Sequence, residues 1–314
     1  MLHGSLKNLS PFNKFLFLLL ITITCFLFSM LISLATAVPL FNLDFFSIKN
    51  IQNIEPSQNN IHIFKYLQSI QSIGLFIISS FIAAWLFGSN KINNYLKIDK
   101  SPSFYLVILS ILLIIVSIPT INYLVEINAG IKFPEKFKNI ENWLKEKEEN
   151  AATLTSLFIY ASDFNQYIIN VLVIALIPAF GEEIFFRGII QKLSIEFFKN
   201  INVGVIIAAV LFSVLHFQFY GIIPRFILGL ILGYIFIWSA NIWLSVIAHF
   251  TNNFIAVTVA YIYRDNSNMT NYFENIGKSN SSSMIVFLIS AVLVIAIMVI
   301  FYLYSLKFNR DINR

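Results

Sequence analysis

The sequence predicts an all-α, polytopic membrane protein of about eight transmembrane helices with a polar site in an intramembrane cavity. Three observations predict it. First, 58% of the 314 residues are hydrophobic and only 12% are charged, about half the charged share of a soluble domain. Second, the apolar residues gather in runs near the ~20 residues that a bilayer core requires. Third, a few ionisable and amide side chains interrupt those runs, where each is costly and by default marks a function. A water-soluble core cannot absorb so much apolar surface. The 33 phenylalanines suit lipid-facing helix surfaces.

The candidate spans are 15–38, 69–88, 103–125, 167–198, 202–219, 223–240, 242–263 and 284–306. The first follows Lys7 and Lys14, and Ala35-Thr36-Ala37 near its end looks like a signal-peptide cleavage site. The run is long enough to cross a bilayer, which favours a retained span over a cleaved signal. The segment 167–198 is too long for one simple span and contains Pro178 and Gly181. Pro178 removes a backbone donor, so a tilted or broken helix is expected there. Irregular backbone is tolerated in a membrane where it faces protein or a wet cavity.

Segment 132–149 reads as an amphipathic helix, with Phe137, Ile140 and Leu144 at helical spacing and Trp143 beside them. It suits the membrane interface; a loop helix packed on its neighbours is the alternative. Residues 41–64 and 264–283 are polar loops rich in Asn, Ser and Gln. The lone Cys25 permits no intrachain disulfide and reads as a packing residue.

Charge gives an orientation. Lys7 and Lys14, then Lys91, Lys97 and Lys100, then Lys307, Arg310 and Arg314 all fall on one side of eight spans. Both termini are therefore expected in the cytoplasm. The five lysines of 132–149 lie opposite but are offset by Glu135, Glu141, Glu146, Glu148 and Glu149. The net charge of +5 is spread over loops without an arginine-rich block, so no nucleic-acid partner is expected. The abundance of Ile, Asn, Lys and Phe points to a bacterial cytoplasmic membrane as the location.

The polar interruptions have a pattern. Glu183 and Arg187 are four apart, in the favourable acid-before-base order, and pair along a helix. Glu182 then projects elsewhere and is left as a general base for water. A buried salt-bridge cluster that only orients helices is the alternative. Three such charges near the bilayer centre cost on the order of 8–10 kcal/mol before pairing, which argues for a use. Phe212 and His216 are four apart, as are His249 and Asn253, with Asn252 three from His249. A lone membrane histidine is more often an interhelical hydrogen-bonding group. A free Glu, two His and an Asn on three segments are harder to assign to packing. Counting residues exposes a problem: His249 lies about seven residues into its span and His216 about fourteen, a depth mismatch approaching ~10 Å.

The strings E-E-x-x-x-R (Glu182, Glu183, Arg187), F-x-x-x-H (Phe212, His216) and H-x-x-x-N (His249, Asn253) resemble the motifs of the CPBP family. These are the CAAX proteases and bacteriocin-processing proteins, also called Abi, and the likeness is to the bacterial branch. The resemblance implies an intramembrane endopeptidase with its active site in the membrane cavity. Under it Glu182 carries the catalytic carboxylate and His216 helps to activate water. His249 and Asn253 stabilise the oxyanion, and Glu183, Arg187 and Phe212 give structural support. No cofactor is favoured. Zinc, held by Glu182, His216 and His249, is the alternative, although no H-E-x-x-H arrangement is present. Eukaryotic members remove the last three residues of prenylated CAAX proteins, so the expected partner is a membrane-associated peptide or lipidated protein.

The chain then divides into 1–165, three spans and the interfacial helix; 166–263, the catalytic core; and 264–314, a loop and a last span. Two other functions compete. A secondary transporter also places acids and histidines at mid-membrane, but no pair of related interrupted helices is visible. A catalytically inert scaffold or bacteriocin-immunity protein would use the cavity for binding alone.

Overall fold

The structure, a computed structural model, describes residues 3–43, 56–89, 91–266 and 281–312. Most of the two polar loops expected at 41–64 and 264–283, and Arg314, lie outside the described residues. Among those described, every regular element is helical. We label them α1 (Pro11–Phe41), α2 (Ile61–Phe87), α3 (Ile92–Leu96), α4 (Phe104–Ala129), α5 (Lys138–Ile159), α6 (Phe164–Phe198), α7 (Ile201–Val214), α8 (Ile222–Ser239), α9 (Ile242–Ile262) and α10 (Ser281–Ile312).

Seven of these are long and apolar enough to cross a membrane, so the protein is an integral, multi-pass membrane protein. The eighth expected span, 202–219, is instead the 14-residue α7. At 1.5 Å per residue α7 is only about 21 Å long, short of a ~30 Å hydrocarbon core.

Helix starts follow local chemistry. Ser10 caps α1, accepting from the Asn13 amide, and Pro11 opens the helix. Asp163 caps α6 through the amides of Asn165 and Gln166, while Asn200 and Asn241 cap α7 and α9. Buried serines, among them Ser79, Ser80, Ser110 and Ser117, donate to carbonyls three or four residues earlier. That satisfies them without a partner helix.

Two apolar clusters organise the bundle. One joins α1, α2 and α3 to α6, α7 and part of α8, through Leu18, Phe87, Leu96, Ile184, Phe186 and Phe212 among others. The second joins α4 and α10 to the other face of α8 and α9, around Leu113, Leu232, Leu244 and Phe301. Where α7 meets α8, glycine lets the backbones close. A Cβ on Gly229 would stand 3.0 Å from both Cα and Cβ of Ala209, as in membrane packing through small residues.

The helix ends sort onto two faces. On one, Lys14 pairs with Glu196 at 2.8 Å, Asn241 bonds the Lys100 carbonyl, Trp243 bonds that of Ile98, and Tyr105 packs on Tyr304. The start of α1 and the end of α10 therefore share a face. On the other, Asn128 at the end of α4 bonds both the Phe219 carbonyl ahead of α8 and the Ile223 amide in its first turn. The amphipathic helix α5 lies on that face. It starts later than the expected 132–149 and runs on to Ile159, and Ile140 and Trp143 on it, with Phe137 just before it, are exposed, as on an interfacial helix.

Candidate active site

The site is built on α6. The irregularity expected near Pro178 is present as two wide turns of i→i+5 spacing, Val171–Leu176 and Phe186–Gln191, flanking Ile177–Phe185. Such turns are frequent at functional sites because they rotate side chains and loosen backbone bonds. The segment between them carries Glu182 and Glu183. Gly181 faces α2 so closely that a Cβ would stand 3.1–3.2 Å from Ile77 and Phe76, which fixes this stretch against its neighbour.

Glu183 and Arg187 are paired, Nη1 to Oε1 at 2.9 Å, both almost fully buried. The same carboxylate oxygen accepts from His249 Nδ1 at 2.9 Å. The Arg187 Nη2 donates to the Gly229 carbonyl at 3.1 Å, and Gln191, one turn on, repeats the contact at Gly233. Glu183 thus joins α6 to α9, and Arg187 joins α6 to α8. Glu182 takes no part in these bonds. It lies within electrostatic reach of His249, Arg187 and Arg225, and its buried Oε2 has no hydrogen-bond partner among the described residues.

Phe212 is the hub of the histidine side. Its ring packs edge-on against His216 at 5.0 Å and His249 at 5.7 Å between centroids, and the Arg187 guanidinium lies 4.8 Å over its ring. The depth mismatch is resolved by how the helices are staggered. Ala209 abuts Gly229, and Ser245 bonds the Leu232 carbonyl. Counting from those two anchors, Phe212 and His249 stand within ~3 Å of one depth along α8. His216 is not in a helix at all. It follows the end of α7, and its Nδ1 donates back to the Phe212 carbonyl at 2.7 Å. The next residue, Phe217, holds φ +52°, a conformation bulky residues avoid and functional turns tolerate.

These bonds fix the imidazole protons. Each Nδ1 faces an oxygen acceptor, so each neutral ring presents Nε2 with a lone pair. Asn253 donates to the Ile174 carbonyl at 3.2 Å, inside the first wide turn of α6, and accepts from Asn252 at 3.1 Å. Sequence reasoning missed four contributors. Two are backbone carbonyls, Ile174 and Gly229, which no side-chain pattern announces. The third is Arg225, bonded to Gln218. The fourth is Glu148 of α5, which accepts from the Tyr220 amide at 3.2 Å and holds the turn carrying His216. Gln191 was within reach of the pattern, one turn after Arg187 on the same stripe. No group of three His, Cys, Asp or Glu side chains among the described residues is placed to hold a metal ion.

Fold and cluster together define a multi-pass helical membrane protein with a buried acid, imidazole and amide site. Residues 164–255 match the family described as type II CAAX prenyl endopeptidase Rce1-like. The match opens at the first residue of α6 and closes two residues after Asn253, so the chain carries an Rce1-like domain that contains every motif residue. At the level of the family this supports a CAAX-type intramembrane protease. No curated protein and no solved structure matches the chain.

Proposed function

We propose that the chain is an intramembrane endopeptidase that hydrolyses a peptide bond with a water activated by Glu182. The observation that carries the reading is the division of labour between adjacent carboxylates. Glu183 is held through Oε1 by Arg187 and His249, with only its Oε2 unpartnered, whereas Glu182 enters no ion pair among the described residues and its buried Oε2 has no partner.

In this mechanism Glu182 takes a proton from water while the Nε2 of His216 accepts that water's other hydrogen bond. The resulting hydroxide attacks the carbonyl carbon. The oxyanion receives hydrogen bonds from Asn253 and from His249. His249 donates from Nε2 only when it carries two protons, its Nδ1 proton being held by the Glu183 carboxylate. Glu182 then passes its proton to the leaving nitrogen as the C–N bond breaks. Preorganised donors at the oxyanion supply the largest part of the rate.

The substrate class that fits is a membrane-associated peptide or lipidated protein, approached from within the bilayer, in a bacterial cytoplasmic membrane. The mechanism routes no step through a metal. Cleavage of membrane-anchored peptides, prenylated and unprenylated, by purified wild type and Glu182→Gln tests it. The variant keeps the shape and removes the base, so the rate is expected to drop about 10²-fold or more. Undiminished cleavage by the variant removes Glu182 from the mechanism. One tightly held zinc per chain in elemental analysis, lost together with activity on chelation, would replace this mechanism with a metal-dependent one.

A further inference from the structure

A cavity of about 1120 Å³ opens between the starts of α2 and α6 and the ends of α1 and α5, and none of Glu182, His216, His249 or Asn253 lines it. Its chemistry is divided. One end is polar, with His62, Lys65 and Gln166; the walls beyond are apolar, with Ile73, Val173 and Ile177. Lys65 is 94% buried, being 6% exposed. Its Nζ donates to the Asn170 Oδ1 at 2.6 Å. That partner is a neutral amide already fixed by its own donations to the Ile159 and Tyr160 carbonyls. No carboxylate among the described residues pairs with Lys65.

A buried ammonium held only by an amide is poorly compensated, and the uncompensated charge attracts an anion. Depth identifies which anion. Lys65 stands one turn inside α2, whose first residue is Ile61, so it lies at the level of lipid headgroups rather than mid-membrane. Tyr66 and Tyr160 also line the cavity, and tyrosine is at home at that level. Below the cation, the walls offer an apolar lining to an acyl chain. Basic pockets between membrane helices on the cytoplasmic side bind anionic head groups, and the same charge pairing applies to this cavity on the opposite face.

We propose that this cavity binds one anionic phospholipid, its phosphate on Lys65 and His62 and a chain along Ile73, Val173 and Ile177. The site is separate from the catalytic one but adjoins it. Val173 precedes Ile174, whose carbonyl holds Asn253. The bound lipid therefore braces the wide turn that positions the amide.

Native mass spectrometry of the purified chain in detergent, with added phosphatidylglycerol or phosphatidylcholine, tests the proposal without using peptidase activity. Wild type is expected to retain one phosphatidylglycerol at least about tenfold better than phosphatidylcholine. Lys65→Met is expected to abolish that preference. Ile70→Trp, which fills the cavity beside the intact lysine, is expected to abolish retention of both, so a folding failure of the first variant does not protect the idea. Equal retention of the two lipids, or an undiminished preference in Lys65→Met, overturns it. Two further outcomes also overturn it. If inorganic phosphate alone displaces the lipid, the site is for a free anion. If a farnesylated peptide displaces it, the cavity belongs to the substrate.

Discussion

At the scale of single residues, the molecule separates two neighbouring acids by what each can reach. Adjacent helical positions point about 100° apart, so Glu183 turns toward Arg187 and His249 while Glu182 does not. Losing one member of a buried pair strands the other charge, at roughly 3–5 kcal/mol. Arg187→Ala is therefore expected to lower the thermal unfolding temperature in detergent as well as the activity; an unchanged unfolding temperature would mean that the pair contributes nothing to the fold. Asn253 tests the opposite kind of role. Its amide has one bond to the Ile174 carbonyl and a second N–H left for the oxyanion. Asn253→Ala is expected to lower kcat by about 10²–10³-fold with KM and the unfolding temperature little changed. A loss in KM or stability alone would make it a packing residue. Added zinc restoring the rate would make it a support for a metal ligand.

At the scale of elements, the apolar runs announced α1, α4, α8, α9 and α10 because a membrane span is a composition before it is a contact. The pairing of Glu183 with Arg187 was equally legible, since i,i+4 spacing on a helix brings them together whatever surrounds them; Phe212 and His216 meet as well, but through a turn rather than a shared helical face. The end of α7 was not. Its apolar sequence continues through Phe217, and only packing decides that the helix stops at Val214 and turns His216 back over Phe212. The wide turns of α6 were half legible. Pro178 signalled an irregularity, but the sequence carries no sign that the backbone would widen on both sides of the glutamates. The start of α6 is set by chemistry that pH can read. Hydrogen bonds from the Gln166 amide above all, and from the Ser162 hydroxyl and the Asn165 amide, hold the Asp163 carboxyl below its usual 3.8. A folded-state value below the unfolded one means that the cap stabilises above the unfolded value and fades as pH falls through the folded one. The unfolding temperatures of wild type and Asp163→Ala are thus expected to differ by a constant amount above pH 3.8 and to converge in acid. A difference that does not narrow there would mean that the carboxylate charge is not what caps α6.

At the scale of the whole molecule, the short α7 decides how a polar site sits inside an apolar body. Seven long helices alone would put the start of α1 and the end of α10 on opposite faces. The packing of Lys14 on Glu196 and of Tyr304 on Tyr105 puts them on one face, so α7 and its turn reverse the chain as a full span would. His216 gains its place from this, because α7, about 21 Å long, ends in the turn that carries it. The side of the membrane is a proposal from charge: Lys7, Lys91, Lys97, Lys100 and Lys307 gather on the shared face, and basic loops favour the cytoplasm. Single cysteines replacing Ser5, Lys307 and, on α5, Lys147 in a Cys25→Ser background are the test, with an impermeant thiol reagent applied to intact cells and then to lysed ones. All three positions are exposed, so failure to react reports sidedness rather than burial. Lys147→Cys is expected to react in intact cells, and the Ser5 and Lys307 replacements only after lysis. Reaction of Ser5→Cys and Lys307→Cys on opposite sides would mean that the chain crosses an odd number of times, and that α7 does not reverse it. Reaction of both in intact cells would keep the fold and invert its orientation, placing Glu148 and the His216 turn on the cytoplasmic side.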